Sequence, residues 1–598
     1  MNIAQLRMEA YNDASAIAFR GPTVPVDLID GEFVVQARPM DKERMRLIPR
    51  AKHSRKDDLW RLPAFPPQWY VLNNVFGGNL VTTTAVDEMV LRFDNWRETQ
   101  EQRRAGELTD YPFSDHLFDF QETGVSFLLG AGSALLGDQM GTGKTIQGTE
   151  FMRQVDLVKD HGYHLVVCPN SMKFKWKSEI EKFWPEAEAI VINGTASQRR
   201  KAIDEGTGVA GAPVVYIINY KSLTTHTKLK PNPGKVLTEA QKTAKEFNDF
   251  EWQTVLLDEA HKIKGHKNLL TMAVKQMGAQ AEHRIAMTGT ALVNNPDDLH
   301  SIMEFVMPNE YGSLTQFRSR WCDTSVGWHG GMENRGLRAD RREEFDKMFE
   351  PRFIRRTLKE VAPEMAEMLP IQYRSCTMSK EQGKVYKSLV DELFAIIDDE
   401  LLVTPNPLSL SGRLRQASCA TPIVEDGEVI GLGKKSCKLD AIFEILEEDP
   451  DEPLVIYAES RKLLEFFAEE LEEAGKSVGM ITGKIGAALR EEYVNAFQAG
   501  KLDIILINDA GAEGLTLTRA AKIIIAQQNW SWAVTEQVIF RIWRIGQERE
   551  VLPIVLVTED TVDLSVMEVN IAKNLGAQDV FRDKTFFMEA MHGKAKIT

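Results

Sequence analysis

Three short stretches carry residue types able to handle a nucleoside triphosphate. The first is Asp138-Gln139-Met140-Gly141-Thr142-Gly143-Lys144-Thr145. Glycines at 141 and 143 let backbone N–H groups face a phosphate chain without a Cβ between them. Lys144 adds a point charge, and the Thr145 hydroxyl suits Mg²⁺. The generic pattern of this kind has Gly where this chain has Asp138. The second stretch, Asp258-Glu259-Ala260-His261, follows the apolar run Thr254-Val255-Leu256-Leu257 and offers a carboxylate for the magnesium and one for water. A solvated strand end is the ordinary alternative for such an acid pair. The third stretch, Gln537–Gln547, holds Arg541 and Arg544, which share one face if the stretch is helical. Paired arginines either ladder with surface acids or stabilise charge on a transferring phosphate, the latter worth ~10³–10⁵ in rate. Gln121 lies some twenty residues before the phosphate loop. Its amide both donates and accepts, which suits an adenine edge, although alone it is an ordinary helix glutamine.

The elements that must position these residues follow from the pattern around them. Ser133–Leu136 and the helix-compatible Ile146–Val155 give the phosphate loop its strand and helix. The apolar runs His164–Pro169, Val214–Tyr220, Thr254–Leu257 and His283–Thr290 alternate with helical stretches, which predicts a parallel sheet with its chemistry at strand C-termini. A second alternation covers Pro453–Ala458, Val478–Thr482, Asp503–Asn508, Ala521–Ala526 and Leu552–Val557 but has no phosphate loop. The expected architecture is α/β with two parallel-sheet lobes, at 109–310 and 436–598. A mostly helical inter-lobe region, 311–435, includes a helical Lys380–Leu402, and a small accessory module fills 1–108. In that module Phe33–Gln36 reads as a strand and Thr84–Trp96 as a helix. The basic stretch Arg46–Lys56 reads either as a solvated loop or as a DNA contact. Lys228–Asp249 reads as a surface insertion.

Composition narrows the classes. With 598 residues, 43% apolar and 27% charged, the chain is an ordinary globular protein of several domains. A net charge of −15 argues against a uniformly basic nucleic-acid binder, yet base gathers at Arg338–Arg342 and Arg352–Lys359, so a basic groove is compatible with it. Five scattered cysteines show no zinc spacing and fit a reducing interior. The N-terminus lacks a signal-peptide layout, and the longest charge-free apolar-rich run, Gly124–Gly137, falls short of a membrane span.

From about Leu117 to Gln547 the motifs together resemble the Swi/Snf-type ATPases of helicase superfamily two. Leu117–Gln121 is similar to the family's adenine-reading motif, and Asp138–Thr145 to its phosphate loop, with Asp138 in the family's usual form. Leu165–Phe183, the DEAH-type Asp258–His261 and Met287–Asn295 resemble motifs Ia, II and III. Phe353–Val361 resembles the inter-lobe segment, and Leu454–Leu471, Asn508–Thr518 and Gln537–Gln547 resemble motifs IV, V and VI. Phe540, Trp543, Gln527 and Ala291 depart from the family's usual Asp, His, Asp and Pro. The resemblance implies RecA-like lobes and an ATP site formed by Gln121, Asp138, Met140, Gly141, Thr142, Gly143, Lys144, Thr145 and Gly514. Mg²⁺ would sit at Thr145 and Asp258, and catalysis would involve Lys144, Asp258, Glu259, Arg541 and Arg544. It further implies movement on double-stranded DNA, held mainly by its phosphates, with DNA-bound proteins as further partners. Contacts would come from the motif Ia, III and V loops. A monomer in the cytoplasm of a bacterial or phage-infected cell is the expected setting. The rival readings are a strand-separating RNA or DNA helicase, and a DNA-clamping scaffold, which would lack Lys144, Glu259 or Arg541.

Overall fold

The computed structural model describes residues 23–109, 111–158, 162–205, 212–227, 246–265, 268–289, 296–326, 332–392, 394–397, 400–403, 407–425, 428–433, 436–512, 514–568 and 570. Residues 228–245 of the expected insertion, 290–295 of motif III and Glu513 of motif V lie outside it.

Near the N-terminus, Val24–Ile29 (β1), Glu32–Val35 (β2), Lys52–Ser54 (β3), Leu59–Pro63 (β4) and Leu80–Thr82 (β5) form a sheet in the order β3-β4-β2-β1-β5. Strand alternation turns Val24, Val26, Trp60 and Leu62 into its core. Helices Pro66–Phe76 (α1) and Thr84–Arg104 (α2) follow. The helix expected to stop at Trp96 runs on to Arg104 because its polar second half has partners. Trp96 Nε1 donates to the Gly130 carbonyl (3.1 Å), and Gln100 Nε2 to those of Phe127 (3.2 Å) and Pro351 (3.0 Å). Arg103 donates to Ser126 Oγ (2.8 Å), and Arg104 to the Phe353 carbonyl (2.9 Å). The module therefore shares one apolar core with the lobe behind it. Within the basic stretch Arg46 pairs with Glu43, and Lys52–Ser54 forms an edge strand.

Lobe one contains Asp119–Ala131 (α3), Ala134–Leu136 (β6), Lys144–Val158 (α4), Tyr163–Cys168 (β7), Lys173–Phe183 (α5), Glu188–Val191 (β8), Val214–Asn219 (β9), Trp252–Asp258 (β10) and Ala281–Met287 (β11). An antiparallel ribbon, Cys322–Val326 (β12) with Met332–Leu337 (β13), leads to Phe353–Ile354 (β14). The lobe's sheet is parallel throughout, in the order β14-β6-β11-β10-β7-β9-β8. Leu165–Cys168 and Val255–Leu257 are wholly buried, as strands covered on both faces must be.

Lobe two starts with Gln372–Cys376 (β15). Two ribbons follow, Phe394–Ile397 (β16) with Glu400–Val403 (β17), and Pro422–Glu425 (β18) with Glu428–Leu432 (β19). Then come Leu454–Ala458 (β20), Val478–Ile481 (β21), Ile504–Ile507 (β22), Lys522–Gln527 (β23), Trp532–Ile539 (α6) and Leu552–Thr558 (β24). The sheet β15-β24-β23-β20-β22-β21 is again parallel. Two findings refine the region between the lobes. The helix expected over Lys380–Leu402 ends at Glu392, since the apolar runs on either side of Asp398-Asp399 pair as a hairpin instead. Strands β14 and β15, both inside 311–435, join the sheets of lobe one and lobe two respectively. Among the described residues no helix is long and apolar enough to cross a membrane.

Candidate nucleotide site

β6 brings the chain to the phosphate loop, and α4 leaves it at Lys144. Gly141 and Gly143 have φ of +86° and +79°, a left-handed backbone that a side chain resists, so this turn selects glycine. Lys144 Nζ donates to the carbonyls of Asp138 (2.8 Å) and Gln139 (3.0 Å). Burial lowers its pKa, while Glu259, Asp138 and Asp258 work in the opposite direction.

Asp138 is fully buried, and its carboxylate is taken up by Arg356. Asp138 Oδ1 accepts the Arg356 backbone N–H and Nε (both 3.1 Å), while Oδ2 accepts Arg356 Nη2 (2.5 Å) and Gln147 Nε2 (3.2 Å). The backbone is tied in the same way: Gly137 N–H donates to the Ile354 carbonyl (2.7 Å) and Gln139 N–H to that of Arg356 (2.8 Å). Leu358 N–H donates to Gln139 Oε1 (2.7 Å). The acid at 138 thus fastens the loop to the segment that leads towards lobe two. Gln121 fastens it from the other side. Gln121 Oε1 accepts the Phe118 N–H (3.1 Å), and its Nε2 donates to the Thr142 carbonyl (3.0 Å).

β10 ends on the acid pair. Tyr220 Oη donates to the Asp258 carbonyl (2.7 Å), and the buried indole of Trp176 donates from Nε1 to Asp258 Oδ2 (2.8 Å). Glu259 takes φ +55° and ψ +53°, a costly backbone for a residue with a side chain and one that occurs at functional turns. Its Oε2 lies 3.2 Å from His261 Nδ1. Burial and the neighbouring Glu259 push the Asp258 carboxyl above the usual range. Burial pushes Glu259 up as well, but His261, Lys144 and Arg541 outweigh it and hold that carboxyl below the usual range.

The lobe-two wall departs from expectation in one respect. Helix α6 stops at Ile539, so Arg541 and Arg544 stand on the turns that follow it. Past Ile539 the chain tightens into turns, the Arg541 N–H donating to the Val538 carbonyl (3.0 Å) and the Ile542 N–H to that of Ile539 (3.1 Å), while the Arg541 carbonyl accepts the Leu517 N–H (2.8 Å). Arg544 Nη1 donates to the Leu515 carbonyl (3.1 Å) and to Thr516 Oγ1 (2.8 Å). Its backbone lies against the phosphate loop: a Cβ added to Gly141 would come within 2.8 Å of Arg544 Cβ. Burial, with Arg541 beside it, lowers the Arg544 pKa to about 10.

One cavity collects most of these groups. Met140, Gly141, Gly143, Lys144, Thr145, Asp258 and Glu259 line it from lobe one, and Gly514, Arg541 and Arg544 from lobe two. Gln121, Asp138 and Thr142 are buried and support the wall rather than line it. Three contributors escaped the sequence reading: Lys175, Trp176 and Arg356. Lys175 lines the cavity and donates to the Gly514 carbonyl (3.2 Å) across the lobes. Burial, with Arg544 and Arg541 nearby, lowers its pKa to about 8. The signal available was the basic, aromatic stretch after Pro169, whose other lysines bond within lobe one. Lys173 Nζ donates to Asn193 Oδ1 (2.8 Å), and Lys177 Nζ to the Ala189 carbonyl (3.0 Å). The aromatic departures Phe540 and Trp543 pack at 5.4 Å, and Trp543 Nε1 donates to the Ala366 carbonyl (2.8 Å). Gln527 accepts the Ser460 N–H (2.8 Å) and donates to the Arg415 carbonyl (3.2 Å).

These residues fit a triphosphate with Mg²⁺. The hydroxyl of Thr145 and the carboxylate of Asp258 are hard oxygen donors, and the N-terminus of α4 and the cations Lys144, Lys175, Arg541 and Arg544 suit phosphate oxygens.

Each lobe matches a known family model. Residues 120–422 match the SNF2-related domain, and residues 437–546 the helicase conserved C-terminal domain. The chain is 23% identical over 504 residues to the human DNA excision repair protein ERCC-6, with 78% of this chain and 32% of that protein aligned. To the Bacillus subtilis protein YwqA it is 28% identical over 474 residues, with 75% and 47% aligned. The chain thus spans between about a third and a half of the length of these relatives. The Sulfolobus solfataricus SWI2/SNF2 ATPase core in complex with dsDNA aligns over 82% of this chain and 98% of its own, at 23% identity and a TM-score of 0.36. With half of its length matched to the first domain and the second domain directly following, the chain belongs to the SNF2-related family of helicase-like proteins.

Proposed function

We propose that this protein is a DNA-dependent ATPase that couples ATP hydrolysis in the cleft between its lobes to movement along double-stranded DNA. The observation that carries this reading is the single cavity with Lys144, Thr145, Asp258 and Glu259 on one wall and Arg541 and Arg544 on the other. Lys144 meets the β- and γ-phosphates of the bound nucleotide, and Thr145 and Asp258 hold Mg²⁺. When bound, that ion neutralises phosphate charge and orients the substrate. Glu259, kept ionised by His261, Lys144 and Arg541, orients the attacking water. We assign Arg541 to the charge on the transferring phosphoryl: it lines the cavity from lobe two, and its charge acts on Glu259 on the facing wall. The protein's contribution is positioning and electrostatics, as phosphoryl transfer requires. Asp138, Gln121 and Arg356 keep the loop in shape for it.

Duplex DNA as the track draws on the family and on a relative named for DNA excision repair. The wider task, whether remodelling protein–DNA complexes, migrating branches or annealing strands, belongs to the same proposal. The test is ATP turnover with duplex DNA, single-stranded DNA, RNA or no polymer. Duplex should stimulate most, and Lys144→Ala and Glu259→Gln should abolish turnover. Hydrolysis retained by either variant would overturn the site assignment, and stimulation by RNA alone would overturn the track.

A further inference from the structure

Trp176 lies in the middle of α5 with its side chain wholly buried. A buried indole needs one acceptor for its N–H, and a backbone carbonyl ordinarily serves. Here Nε1 donates to a side-chain oxygen, Asp258 Oδ2, at 2.8 Å. The backbone of the same residue is held separately, its carbonyl accepting from Tyr220 Oη at 2.7 Å. Asp258 is thus gripped at two points by residues from two different elements, α5 and the helix Tyr220–His226 that follows β9, and it still lines the cavity. A carboxylate on a single Cβ can present either oxygen. A donor fixed on one oxygen settles which one turns away, and the packing of a bicyclic ring leaves that donor little freedom.

We propose that Trp176 is a positioning residue for a divalent cation. By occupying Asp258 Oδ2 it sets the carboxylate so that the other oxygen is offered to the ion and its water. The inference rests on the nucleotide reading given above and extends it to a residue outside the cavity wall. Groups that orient metal ligands from behind typically change affinity for the ion by 10–100-fold when removed. The same contact used only for core packing would change stability and leave the ion's affinity alone.

The test uses the full chain with ADP as the nucleotide and Mn²⁺ as the probe, with free Mn²⁺ followed by electron paramagnetic resonance. Trp176→Phe keeps a buried aromatic and removes the N–H. It should weaken Mn²⁺ binding to the ADP-loaded protein about tenfold, while ADP binding measured without divalent ions stays unchanged. If the Phe variant does not fold, benzothienylalanine at position 176, which keeps the bicyclic shape but has sulfur in place of N–H, gives the same comparison. Unchanged Mn²⁺ affinity in the variant that folds would overturn the proposal. So would an equal loss of Mn²⁺ and of metal-free ADP binding, since that marks a structural role. A wild-type protein that takes up no Mn²⁺ with ADP would sink the nucleotide assignment itself, an outcome distinct from either.

Discussion

Arg541 and Arg544 are neighbours on one wall yet hold different obligations. Arg544 spends its guanidinium on Leu515 and Thr516 within lobe two, whereas the charge of Arg541 is felt at Glu259. Arg541→Ala should therefore lower kcat by ~10³–10⁵ with ATP affinity little changed. Arg544→Ala should instead raise KM for ATP and destabilise lobe two by ~1–3 kcal/mol, because two acceptors lose their donor. Steady-state kinetics with urea unfolding separates these outcomes. Lys175 gives a second expectation. Burial and the two arginines bring its pKa down to about 8, so near pH 8.5 much of it is neutral in the empty site. Phosphate oxygens beside it favour the charged form, hence nucleotide binding at that pH should take up a proton, and affinity should fall as pH rises through this range. Calorimetry in buffers of different ionisation enthalpy measures the uptake, and Lys175→Met should abolish it.

Among the elements, the segment from β14 to Leu358 is what keeps the phosphate loop in place. Asp138→Ala would leave the partly buried Arg356 without its carboxylate, so we expect a loss of ~3 kcal/mol in denaturant unfolding. Gln100 and Arg104 brace the same segment from α2 through the carbonyls of Pro351 and Phe353. Replacing both with Ala should destabilise lobe one by ~1–3 kcal/mol, although neither residue approaches the cavity. This is also where sequence reading reached its limit. Lys144, Thr145, Asp258 and Glu259 were legible because their chemistry demands particular side chains at short spacing behind apolar runs. The role of Asp138 was not, since its partner lies 218 residues away. The last two turns of α2 were hidden for the same reason: Gln100, Arg103 and Arg104 look like solvent-facing residues until lobe one is laid against them. The end of α6 was illegible too, because the turns after it are held by Leu515, Thr516 and Leu517, residues of another loop.

At the scale of the molecule, a chain of net charge −15 should bind duplex through local basic surface alone, so its affinity should drop steeply with added salt, log K falling by about 0.9 for each phosphate neutralised per decade of salt. A filter-binding titration across salt concentrations checks this, and a flat response would point away from a phosphate-tracking motor. The pairing of β14 with β6 bears on how the protein is made. During synthesis the first sheet stays open at that edge, and Asp138 stays without its counter-charge, until residues 353–356 have emerged. A fragment stopping at residue 310 should accordingly be loose and protease-sensitive, whereas one reaching residue 361 should resist digestion and unfold cooperatively. The nucleotide cradle is then among the last parts of its own half to set, which keeps a newly made chain from gripping ATP before the rest of that half is in place.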